Sequence, residues 1–79
     1  MASVEKIERL LSLMNALLGA PRAISADELR GRVPGYPDED ASFKRAFERD
    51  KDELRDMGVP LLVETIAGSD PPLLGYRIR

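Results

Sequence analysis

The segment from Phe43 to Pro60, F-K-R-A-F-E-R-D-K-D-E-L-R-D-M-G-V-P, constrains this chain more than any other. Phe43, Ala46, Phe47, Leu54 and Met57 recur at helical spacing, so a long helix over about 40–57 has one apolar face. At about 100° per residue, Asp50 lands near the centre of that face. A carboxylate in such a place is costly unless its oxygens are bonded. Asp50 is therefore expected to tie helices together by accepting backbone or side-chain donors. Gly58 suits the left-handed position after a helix, and Pro60 blocks any continuation. The acids Asp38, Glu39 and Asp40 suit the positive end of the helix dipole. Basic residues crowd the front half of the segment and acids the rear.

The chain has 79 residues, enough for one domain with a modest core. It contains no Cys and no His. That removes disulfides, thiol nucleophiles, Cys-based metal sites and imidazole acid–base chemistry. No Ser or Asp spacing suggests a reactive constellation, so neither an enzyme nor a cofactor is expected. Twelve basic residues against fourteen acidic ones give a net charge of −2. A nucleic-acid partner would therefore depend on how charge is distributed, since phosphates are met by Lys and Arg. The apolar run Leu10–Ala20 is interrupted by Ser12 and Asn15, and Glu5 and Glu8 precede it. This argues against a signal peptide and against a membrane span. The expectation is a soluble, cytoplasmic domain.

A first helix is expected from about Ser3 to Leu18, with Ser3 as its cap and Ile7, Leu10, Leu11, Met14, Leu17 and Leu18 on one wide face. Beyond its core role, the extra leucines offer a dimer seam. Gly19 and Pro21 end it. Ser25 and Glu28 form a capping box, and Ile24 and Leu29 stand as a hydrophobic staple for a short helix over 26–32, with Leu29 and Val33 inward. Residues 22–24 before it could form a very short strand. After the third helix, Leu61–Ile66 and Leu73–Arg79 read as two strands joined by the turn chemistry of Ala67–Pro72. A two-stranded ribbon is not stable alone, so it must pack on the helices, through Leu61, Val63, Tyr76 and Ile78.

Three helices, the second short and the third long, followed by a hairpin over about 61–79, give an α+β winged helix-turn-helix filling residues 1–79. I-S-A-D-E-L-R at 24–30, F-E-R-D-K-D-E-L-R-D-M-G-V-P at 47–60 and G-Y-R-I at 75–78 resemble the N-terminal domain of bacterial WYL-domain transcriptional regulators. Within that family the likeness is to the actinobacterial proteasome accessory factor B and C branch. The commoner pattern S-x-x-T-x-x-R-D-L is altered here. Ala46 replaces the Thr, and Lys51 replaces the Leu after Arg49-Asp50. The resemblance implies control of transcription, a C-terminal WYL domain in the full-length protein, and a link to the DNA-damage response.

In a winged helix, the third helix presents its front to the major groove of duplex DNA. Lys44 and Arg45 are the expected base readers, with the Ser42 hydroxyl at the tip. Arg49 would contact phosphate or fold back onto Asp52 or Glu53. Arg77 or Arg79 would supply phosphate contacts from the wing, although the wing tip Gly68-Ser69-Asp70 carries no base. Ser25 and the amides opening the second helix offer another phosphate site. The plain alternative for these charges is a solvated surface laced with pairs such as Lys44–Glu48, and Lys51 and Arg55 are expected to belong to it. The alternative function is a winged helix used for protein interaction or dimerisation without DNA.

Overall fold

In the computed structural model, which describes residues 4–79, three helices and three strands follow one another as α1 (Val4–Leu18), β1 (Ile24–Ser25), α2 (Ala26–Arg32), α3 (Asp40–Asp56), β2 (Leu61–Thr65) and β3 (Leu74–Ile78). The expected cap Ser3 lies outside the described residues. Among the described residues no helix is long and apolar enough to cross a membrane. The strands form one antiparallel sheet in the order β1-β3-β2. The wing is thus not a free hairpin. Ile24 and Ser25 pair with Tyr76 and Gly75 and give β3 a second neighbour.

The core joins all the elements. Leu13 and Leu17 of α1, Ile24, Leu29, Val33, Phe43, Phe47, Leu54, Leu61 and Tyr76 are buried together. Here α1 departs from the expected face. Ile7, Leu11 and Leu18 are exposed, and Leu13, absent from the expected stripe, is fully buried. The rotation has a polar cause. Lys6 and Arg9 lie on the same helical face as Leu13 and Leu17, and they reach Glu53 and Asp50 of α3. Turning the leucines of the expected stripe inward would break both ties.

Two other apolar residues expected inside are exposed, Met57 and Val63. Met57 is the C-cap of α3, where the chain turns away at Gly58 (φ 88°). Val63 shares the inner sheet face with its partner Tyr76, but the helices cover only Tyr76, Ile24 and Leu61 closely. On the opposite sheet face Gly75 is buried by close approach. A Cβ there would sit 2.7 Å from Ala23 Cβ and 2.7 Å from Ile66 Cγ1. The wing loop is closed by Ser69, whose Oγ donates to the Ile66 carbonyl (2.7 Å) and accepts from the Leu73 amide (2.9 Å).

Candidate nucleic-acid interface

The candidate surface is the outward side of α3, and its position depends on how the helix is anchored. Glu39 caps it, its carboxylate accepting from the Ser42 amide at 2.9 Å. That hydrogen bond holds the Glu39 carboxyl below the usual carboxylate range. At the other end the Met57 amide donates to the Glu53 carbonyl and the Val59 amide to that of Leu54.

The inward side packs through rings. Phe43 and Phe47 stack at 5.5 Å between centroids, Tyr36 meets Phe43 edge-on at 5.1 Å, and Tyr76 meets Phe47 edge-on at 5.1 Å. Arg30 of α2 lies 4.1 Å over the Phe43 ring and donates to Asp40 at 2.9 Å, joining α2 to the start of α3.

Asp50 is 0% exposed at the centre of this inward side. Its carboxylate accepts Arg9 Nε at 2.7 Å and Nη2 at 2.9 Å, a bidentate pair, and the Tyr36 hydroxyl at 2.8 Å. The one residue therefore ties α3 to α1 and to the turn before α3. The Asp50 carboxylate holds the Arg9 guanidinium above its ordinary pKa. Burial, and then the hydrogen bond to Asp50, push the Tyr36 hydroxyl well above the usual phenol value. Arg9 and Tyr36 are the partners the sequence did not single out. Their signal was faint, since Arg9 lies off the expected apolar stripe of α1 and Tyr36 lies between α2 and α3.

Lys51 also differs from expectation. It is buried instead of solvated. Its ammonium lies 4.9 Å from the Phe47 centroid and 4.6 Å from that of Tyr76, and it pairs with Glu48 at 2.7 Å. The side chain bends over the rings because β3 passes beside this turn of α3, which helical periodicity could not show. Glu48 is thus engaged by Lys51, not by Lys44.

Ten of the twelve bases fall into two groups, and Arg22 and Arg79 stand apart on the segments beside β1 and β3. Among the described residues, Lys6, Arg9, Arg30, Arg32, Lys51, Arg55 and Arg77 each hold a carboxylate. Lys44, Arg45 and Arg49 enter no ion pair and are exposed, all three on the front of α3. Arg49 does not fold back, because Glu53 is engaged by Lys6 and Asp52 by Arg55. Ala41, Lys44, Arg45, Glu48 and Arg49 make one continuous outward surface.

The other candidates stand elsewhere. Ser42 sits beside them but its amide and hydroxyl are turned to Glu39. Ser25 Oγ caps α2 by accepting from the Glu28 amide at 3.2 Å. The capping box is not reciprocal, since the Glu28 carboxylate pairs with Arg32. Arg77 points to the sheet face opposite Tyr76, where it pairs with Glu64 at 3.2 Å. Arg79 follows β3 at the base of the wing, its amide bonded to the Pro60 carbonyl. Neither arginine is brought to the wing tip.

No family model matches the chain. Curated relatives do. The chain is 45% identical over 79 residues to the protein PafB of Mycobacterium leprae and, at the same identity, to PafB of Mycobacterium tuberculosis. These matches take in 98% of the chain and 24% of each relative, so the chain spans about a quarter of their length. Among solved structures, proteasome accessory factor B/C (PafBC) of Arthrobacter aurescens superposes with a TM-score of 0.77 at 38% identity, over 96% of the chain and 11% of the Arthrobacter chain. Over its whole length the chain is a homologue of a segment of PafB and PafBC, and the winged helix is the fold.

Proposed function

We propose that this homologue of PafB and PafBC is the DNA-reading domain of a bacterial transcriptional regulator, with α3 in the major groove. The observation that carries this is the segregation of charge on α3. Lys44, Arg45 and Arg49, in no ion pair, gather on its outward front, while Glu48, Asp52 and Glu53 are engaged by Lys51, Arg55 and Lys6. A net charge of −2 is then no obstacle, because seven of the twelve bases are engaged within the domain and three of the other five cluster on one helix. Lys44 and Arg45 read base edges and Arg49 meets phosphate. The wing contributes through Arg79 and its backbone rather than its acidic tip. By family likeness a WYL domain follows in the full-length protein, which acts in the cytoplasm in the DNA-damage response.

A salt titration of binding to random duplex DNA tests this. Three to five phosphate contacts give a log–log slope of about −3 to −4.5. Arg45→Glu should abolish binding with helicity unchanged. If duplex affinity survives that substitution, α3 is not the reading helix.

A second reading, a protein-interaction or dimerisation module, is favoured by one observation. Ile7, Leu11 and Leu18 are exposed together on α1, and spacings of four and seven residues put them on one side of the helix. Under this reading Leu11→Glu lowers the sedimentation mass of the chain at high concentration and leaves duplex affinity unchanged.

A further inference from the structure

Resting on the DNA reading of α3, we infer that Glu48 is a base-reading acceptor at the centre of that surface and that Lys51 is the residue that positions it. Lys51 is the anomaly that leads there. Its side chain is 8% exposed, in a slot between Phe47 and Tyr76. Taking an ammonium out of water is costly, and a leucine or methionine would fill such a slot without that cost. The two rings offset part of it. What a leucine could not do is hold the Glu48 carboxylate, 2.7 Å from the Lys51 nitrogen.

Glu48 itself is 65% exposed. In helical projection it falls between Lys44 and Arg45, about 40° from the first and about 60° from the second, one turn further along the helix. If those two bases straddle the groove edges, Glu48 faces the base pairs between them. A carboxylate only accepts hydrogen bonds. It is repelled by phosphate and by the guanine O6/N7 edge. It is matched by the N4 amino group of cytosine, whereas adenine sets an acceptor, N7, beside its amino group. Lys51 lies behind the surface and cannot reach the groove. Its charge fixes the rotamer of Glu48 through Oε1, and the 65% exposed carboxylate keeps acceptor capacity toward solvent. The Tyr76 ring on β3 braces the same ammonium, so the wing strand also helps set where Glu48 points.

Selection of bound sequences from a randomised duplex pool tests this on the chain, on Glu48→Gln and on Lys51→Met. The expected result is a cytosine preference at one position, about ten-fold over other bases, in the parent chain. Glu48→Gln should move that position toward adenine, whose N6/N7 edge matches an amide. Lys51→Met should blunt the same position and no other, with the thermal midpoint preserved. A purely packing role for Lys51 would move the midpoint and leave the base preference alone. The inference is overturned if Glu48→Gln selects the same sequences as the parent, and Glu48 is exposed enough for that variant to fold. A parent chain that enriches no duplex overturns the DNA reading itself.

Discussion

The two sides of α3 carry the same kinds of residue to opposite ends. On the inward side, Asp50 and Lys51 are charged groups taken out of water, each held by several partners. On the outward side, Lys44, Arg45 and Arg49 are charged groups left in water and held in no ion pair. Breaking a buried pair leaves an uncompensated charge, whereas an exposed charge contributes little to folding. The inward charges therefore determine where α3 sits, and the outward ones are free for a ligand.

The sharpest way to break this contrast is Asp50→Ala. It strands the Arg9 guanidinium and the Tyr36 hydroxyl, and it should cost about 3–5 kcal/mol in chemical denaturation. A loss below about 1 kcal/mol would show that the pair is solvated after all.

Tyr36→Phe is the milder version. Losing one hydrogen bond to a charged acceptor should cost about 1.5–3 kcal/mol near neutrality. It also has a pH signature. Unfolded tyrosine releases its proton near pH ~10, while in the native chain burial and Asp50 keep Tyr36 protonated to higher pH. Above pH ~10 the native state holds more protons than the unfolded one, so this contribution, fully present below that point, is lost as pH climbs. Denaturation midpoints measured through the alkaline range should fall more steeply for the parent than for Tyr36→Phe. Equal slopes would mean that Tyr36 ionises as freely in the folded chain.

The outward side should give the smallest effect on stability. Lys44→Ala, Arg45→Ala and Arg49→Ala should each change stability by within about 0.5 kcal/mol. On duplex DNA Arg49→Ala should reduce the salt slope by about 1, and Lys44→Ala and Arg45→Ala should relax base preference at the positions they read. A substantial shift of the melting midpoint in any of them would show a structural partner and erase the contrast between the two sides.

Much of this was legible along the chain. The helix over 26–32 and the stop at Gly58 and Pro60 follow from local chemistry, a capping serine and a left-handed glycine. Asp50 was recognisable as an anomaly because helical periodicity depends only on sequence spacing. Its partners were not recognisable, because Arg9 stands 41 positions away and Tyr36 lies in a turn. The same limit hid the burial of Lys51, which depends on Tyr76 arriving from β3. It also hid the rotation of α1, where six apolar residues left the inward face open.

The sequence by itself determined the order and type of the elements, the stripe that buries Phe43 and Phe47, and the basic front of α3. These rest on interactions within a turn or two of chain, where geometry is nearly fixed. Only the tertiary structure decided which charges are engaged and which are free. Ion pairing turns on distances of a few ångströms between segments far apart in the chain, and packing sets those distances. Lys44 and Lys51 are both lysines on one helix, and only the fold makes one a candidate for DNA and the other a support for Glu48.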